Sequence, residues 1–106
     1  MLALLAALQI VVAQPTPALV PILEPRGRVA KILKTGDGMT AATAYKVKSI
    51  GEEYQILRTF GLVPDVQSLV TENDGRAFDM LTAKNPKTGE TVKLWFDISS
   101  FFGKGF

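Results

Sequence analysis

Hydrophobic and polar residues alternate without interruption between Glu90 and Ser99. The apolar positions of this segment are Val92, Leu94, Phe96 and Ile98. Successive side chains of a β-strand point to opposite faces, so this alternation predicts a half-buried strand. Trp95 falls among the polar positions, on the face that we expect to point away from the core.

A different periodicity predicts one helix, over residues 50–60. Its apolar positions recur at helical spacing and are Ile50, Tyr54 and Leu57, with Ile56 and Phe60 adjoining. Ser49 and Glu52 have the spacing of a capping box, in which each side chain bonds the backbone amide of the other residue. Gly61 can adopt the left-handed conformation that ends a helix.

Shorter patterns on either side of this helix predict further strands. The predicted strands are residues 43–48, 67–72, 76–84 and 90–99, with a possible extra strand at 29–33. Asn73-Asp74-Gly75 and the segment 85–89 have the composition of hairpin turns. We therefore predict an α+β fold with the order β-α-β-β-β, an antiparallel sheet of about four strands packed on one helix.

The first 28 residues differ in composition from the rest. Residues 2–13 are apolar except for Gln9, a run too short to cross a bilayer but typical of a cleavable export signal. A buried element of the fold is the alternative. Residues 14–28 contain four prolines, which exclude a helix, and could form a tether, a pro-segment or part of the fold. We divide the chain into a signal (1–13), a proline-rich linker (14–28) and one α+β domain (29–106).

The composition excludes several classes of function. The 106 residues include no cysteine and no histidine, so thiol nucleophiles, serine–histidine pairs and the commonest metal ligands are absent. We expect no cofactor. The net charge is only +2, and the basic residues are scattered, which does not indicate a nucleic-acid partner.

One pair of carboxylates is a candidate catalytic site. Asp79 and Asp97 fall on adjacent predicted strands, and paired carboxylates can divide acid and base roles. If the intervening loop is residues 86–89, however, Asp79 faces Phe96 and Asp97 faces Phe78. The two acids then point to opposite sides of the sheet, and a one-residue shift in register would be needed to unite them.

Several short motifs carry a resemblance to a known class of proteins. They are Gly36-Asp37-Gly38, Thr43-Ala44-Tyr45, Glu52-Glu53-Tyr54 and the ending that runs from Trp95 to Gly103. Together they resemble small exported bacterial proteins of unknown function. The resemblance implies export and a similar fold, and it carries no activity and no binding residues.

We therefore predict an exported binding or interaction module without catalytic activity, periplasmic or extracellular. The sequence does not identify its partner, and the candidates are a protein or a cell-envelope component. The alternative is a small hydrolase that uses Asp79 and Asp97. Trp95, Phe101 and Phe102 are the candidate contact residues, because exposed aromatic side chains often anchor partners. We favour Phe101 and Phe102 folding back on the sheet, with exposure to a partner or membrane as the alternative.

Overall fold

The computed structural model describes residues 19–104, which form two helices and a four-stranded sheet. The elements are α1 (Gly27–Leu33), β1 (Tyr45–Lys46), α2 (Ile50–Thr59), β2 (Val63–Thr71), β3 (Ala77–Lys84) and β4 (Thr91–Asp97). The predicted α+β class is correct. The predicted signal and the first residues of the predicted linker lie outside the described residues.

The sheet is mixed, whereas the sequence predicted an antiparallel one. Its strand order is β1-β4-β3-β2. Strands β2, β3 and β4 form an antiparallel meander, and β1 pairs in parallel with β4, Tyr45 opposite Phe96. Helix α2 links β1 and β2, which lie at opposite edges of the sheet, and such a crossover is how a chain joins strands that run in the same direction. Local sequence patterns do not show which strands pair.

Residues 29–33 form most of α1, so the predicted extra strand is wrong. Val29, Ile32 and Leu33 are spaced i, i+3, i+4 and all pack toward the core, as one face of a helix does. A five-residue segment with four apolar residues is too short to distinguish the periodicity of a helix from that of a strand, which is why the prediction was wrong. The predicted boundary between linker and domain falls inside α1. Further upstream, the amides of Ile22 and Leu23 donate to the Thr59 carbonyl at the end of α2.

Helix α2 begins as predicted. The Ser49 hydroxyl accepts from the Glu52 amide at 3.2 Å, and Gly61 takes a φ of +68° just past the end of the helix. The other half of the predicted capping box is different. The Glu52 carboxylate accepts from the amide of Lys48, at 2.7 Å, and also binds the Arg28 guanidinium through two hydrogen bonds of 2.9 and 3.0 Å. Glu52 therefore joins the two helices.

The buried face of α2 is rotated relative to the prediction. Ile50, which is 52% exposed, and Tyr54 lie at the surface, while Glu53 is only 1% exposed. The core between the helices and the sheet is formed by Ile32, Tyr45, Val47, Ile56, Leu57, Phe60, Leu62, Ala77, Leu81, Ala83, Leu94, Phe96 and Ile98. A glutamate thus takes a core position that the apolar pattern assigned to its neighbours.

The hairpin between β3 and β4 has the predicted register. The Asn85 amide donates to the Glu90 carbonyl, and the Gly89 amide donates to the Asn85 carbonyl, which closes a loop of residues 86–89. Asp79 consequently lies opposite Phe96, and Asp97 lies opposite Phe78. This register determines which side chains face α2.

Candidate functional site

An apolar groove of about 360 Å³ opens on the side of the sheet that carries α2. It lies between the first turn of α2, strands β2 and β3, and the turn that follows β4. Its lining residues are Ile50, Gln67, Leu69, Asp79, Ile98, Phe101, Phe102 and Gly103. Most of this lining is hydrocarbon, and Asp79 is its one acidic member.

The groove exists because α2 does not cover the whole sheet. Leu69 on β2 lies directly opposite Asp79 on β3, so the two side chains share the face on which α2 packs. Asp79 is buried, but Leu69, at the edge of the sheet, remains 53% exposed. Together with Ile50 it leaves two large aliphatic side chains at the mouth of the groove.

The turn after β4 forms the remaining wall. The amides of Phe101 and Phe102 both donate to the Ile98 carbonyl, at 3.1 and 2.9 Å, which folds the chain back. The Ser100 hydroxyl donates to the Val47 carbonyl at 3.1 Å and fastens the turn to the segment after β1. Phe101 packs against the core, whereas Phe102 is 41% exposed. The turn therefore folds Phe101 back on the sheet and leaves Phe102 at the surface.

Two carboxyl groups meet beneath the groove. Glu53 comes from α2 and Asp79 from β3, and they are 1% and 4% exposed. Burial chiefly, and then the hydrogen bond and negative charge of Asp79, raise the pKa of Glu53 to about 9. The raised pKa favours the protonated form of Glu53 at neutral pH, in which its carboxyl O–H can donate a hydrogen bond to Asp79. Its Oε1 atom is fully buried, and no donor within residues 19–104 reaches it.

Asp79 and Asp97 are not brought together. The register places them on opposite faces of the sheet. Asp97 accepts a hydrogen bond of 2.9 Å from the Ser99 amide through Oδ1, which shapes the start of the turn after β4. The residue that does meet Asp79 is Glu53. Its position, three residues before Ile56 and four before Leu57, was the signal in the sequence that could have indicated burial.

Trp95 lies on the face of the sheet opposite the groove. It is partly buried, and its ring stands edge-on to that of buried Phe78, with centroids 6.1 Å apart and an angle of 78°. The Arg76 guanidinium lies 5.8 Å from the centre of the same Phe78 ring. Of the three predicted contact residues, Phe101 and Phe102 thus line the groove, while Trp95 belongs to a separate aromatic group.

A second, polar depression of about 290 Å³ lies beside β1. Its lining residues are Arg28, Thr35, Lys46, Val47, Lys48, Asp97, Ser99 and Ser100. Arg28 is already paired with Glu52, and Asp97 already accepts from Ser99. Within residues 19–104, these contacts leave Lys46 and Lys48 as the basic side chains of the depression that form no salt bridge. The apolar groove is larger and contains a buried carboxyl group, which makes it the stronger candidate site.

Among residues 19–104, no group of three or more acidic side chains is arranged to hold a metal ion. Within the same range, neither helix has the length and apolarity required to span a bilayer.

Residues 25–104 match the model of a protein family described as a domain of unknown function (DUF4919). The chain belongs to this family. No curated protein and no solved structure matches the chain. The DUF4919 match runs from just before α1 to the turn after β4, so every residue of the groove and of the acid pair lies within the family domain. The match agrees with a resemblance to proteins of unknown function and assigns no activity.

Proposed function

We propose that this DUF4919 protein is an exported binding module, and that its groove receives the apolar part of a small ligand. The observation that carries the proposal is an open hydrocarbon groove with a single acidic group, Asp79, in its lining. Binding sites for small molecules typically combine apolar walls with a few polar groups that fix orientation.

The size and exposure of the groove support this proposal. Its volume of about 360 Å³ falls within the range of small-molecule sites. Ile50 and Leu69 are more than half exposed, so a ligand that covers them gains hydrophobic free energy, about 25 cal/mol for each Å² removed from water.

The same geometry favours recognition over catalysis. A hydrolase that used Asp79 and Asp97 would need both carboxylates on one substrate, and they lie on opposite faces of the sheet. Glu53 contacts Asp79 but does not line the groove, so only one carboxyl group of that pair can touch a ligand. Acid–base chemistry requires each partner within hydrogen-bond reach of the reacting group.

Export rests on the pattern of residues 2–13, with small residues before Gln14. Expressed with this leader, the protein should be recovered outside the cytoplasm with Gln14 as its first residue, as mass spectrometry of the intact chain can show. Recovery from the cytosol alone, or a secreted form that retains Met1, would contradict export.

Binding can be tested with 1-hexanol, a neutral probe of suitable size, in a titration followed by amide NMR shifts. We expect saturable shifts at the amides of Leu69, Ile98, Phe101 and Phe102. Leu69→Ser should weaken binding, because it removes one hydrocarbon wall. Val66→Ser is the matched control, since Val66 is 56% exposed on the same strand but lies on the opposite face.

Equal weakening by both serine variants, or shifts spread over both faces of the sheet, would show that hexanol binds without a defined site. The proposed groove would then not be the binding site.

A further inference from the structure

The groove contains few polar side chains. Among its lining residues, only Gln67 and Asp79 have polar side chains. Gln67 is exposed at the edge strand, whereas Asp79 is 4% exposed. A ligand that enters the groove therefore meets hydrocarbon on its way to one carboxylate.

Asp79 has no cationic partner in the part of the chain that the structure describes. The ion pairs there join Arg26 to Glu24, Arg28 to Glu52, and Arg76 to Asp74. Its contact is instead with the carboxyl group of Glu53, whose pKa is raised to about 9 by burial and by the adjacent Asp79, so that Glu53 offers Asp79 no counter-charge. A buried charge without a counter-charge is costly, and a ligand that supplies one is favoured.

We infer that the groove takes a small amphiphilic monocation, a primary ammonium on an alkyl or arylalkyl group, with the ammonium against Asp79 and the hydrocarbon against Ile50, Leu69 and Phe102. This inference rests on the proposed binding function and specifies the class of ligand.

The positive charge and the hydrogen-bond donors of a primary ammonium favour this class of ligand. One ammonium can pair with the Asp79 carboxyl group, and its N–H groups can donate to Asp79 and to the Gln67 side-chain oxygen, both of which line the groove. A divalent ion such as Ca²⁺ needs about six to eight oxygen ligands, more than these two side chains provide. A carboxylate ligand would meet like charge.

Glu53 acts on the ligand through Asp79, as a positioning residue. A hydrogen bond from Glu53 engages one acceptor position of the Asp79 carboxyl group, which has further acceptor positions for a ligand in the groove. The amide of glutamine can donate in the same way, so Glu53→Gln should preserve the preference for a cation. Asp79→Asn removes the negative charge at nearly constant shape and should abolish it.

Three probes of equal chain length test the inference: hexylammonium, 1-hexanol and hexanoate, each titrated at neutral pH by calorimetry. We expect hexylammonium to bind the wild-type protein at least about tenfold more tightly than hexanol, with hexanoate weakest, since each factor of ten corresponds to about 1.4 kcal/mol. Asp79→Asn should bring hexylammonium to the level of hexanol, and Glu53→Gln should not.

The outcomes separate the inference from the function on which it rests. If wild-type protein binds hexanol as tightly as hexylammonium, the cation assignment is wrong and the groove remains a binding site. If no probe binds, the proposed function is wrong as well. A primary ammonium group also occurs on membrane lipids. Vesicles of phosphatidylethanolamine test whether the protein recognises the ammonium of a lipid head group. Sedimentation of the protein with these vesicles, without binding of free hexylammonium, would overturn the assignment to a small free amine.

Discussion

The carboxyl group of Glu53, on α2, lies against that of Asp79, on β3, and both groups are buried between helix and sheet. Burial and the adjacent negative charge raise the pKa of Glu53 from 4.5 to about 9. Between these values the folded protein holds a proton that the unfolded chain has lost. The contribution of Glu53 to the free energy of unfolding should therefore be largest below pH 4.5 and fall by about 1.4 kcal/mol per pH unit toward pH 9.

Urea denaturation across that pH range measures this slope, and Glu53→Gln should remove it. Glutamine keeps the shape and a hydrogen-bond donor but does not titrate, so the variant should exceed the wild-type stability at the alkaline end. Glu52→Gln is the control. Arg28 lowers the pKa of Glu52, so that side chain titrates below the window. An unchanged slope in Glu53→Gln would show that the proton is not held at Glu53.

Ser49→Ala should destabilise the protein by about 1 kcal/mol, because the Ser49 hydroxyl accepts from the Glu52 amide at the start of α2. Chemical denaturation monitored by circular dichroism measures the change. Ser49→Asp, which retains an acceptor at the same position, should stay close to wild type. Equal loss in both variants would indicate that the serine contributes something other than the cap.

Phe96→Ala should cost about 3–5 kcal/mol, because this fully buried ring contacts Tyr45, with centroids 5.9 Å apart, and its loss leaves a cavity. Trp95→Ala, one residue earlier on the other face, should cost less, since Trp95 is only partly buried. Equilibrium unfolding in urea compares the two. If Trp95→Ala destabilised the protein as much as Phe96→Ala, the contact between Trp95 and Phe78 would form a second core that contributes as much to stability as the first.

Periodicity and turn composition were sufficient to predict α2, the three strands of the meander and the register that separates Asp79 from Asp97. Periodicity and turn composition did not predict the features that depend on tertiary contacts. The short, mainly apolar segment 29–33 fits a helix as well as a strand, and the parallel pairing of β1 with β4 joins segments distant in the chain. Glu53 was missed because an apolar pattern assigns glutamate to the surface, although its spacing from Ile56 and Leu57 places it on their buried face of α2.

Gly36→Ala should destabilise the loop before β1. A Cβ atom at residue 36 would lie 2.0 Å from the Thr43 carbonyl oxygen, so backbone must move. We expect a cost of about 1–3 kcal/mol, the range for overpacking. Gly51→Ala is the matched control: its nearest neighbour would be the Ser49 hydroxyl at 3.7 Å, and alanine in a helix is favoured over glycine by about 0.5–1 kcal/mol. Thermal unfolding should therefore move in opposite directions for the two variants, and a shift in the same direction would contradict the loop geometry.

The parallel pairing of β1 with β4 also sets an order of events during synthesis. Tyr45 and Phe96 are separated by about half of the chain, so their contact has a high sequence separation and must wait until β4 has left the ribosome. Until then β1 has no neighbouring strand, and the core lacks Leu94 and Phe96. A nascent chain that ends before β4 therefore lacks the strand that completes the sheet beside β1 and part of the core, so apolar residues that these contacts bury stay exposed until then.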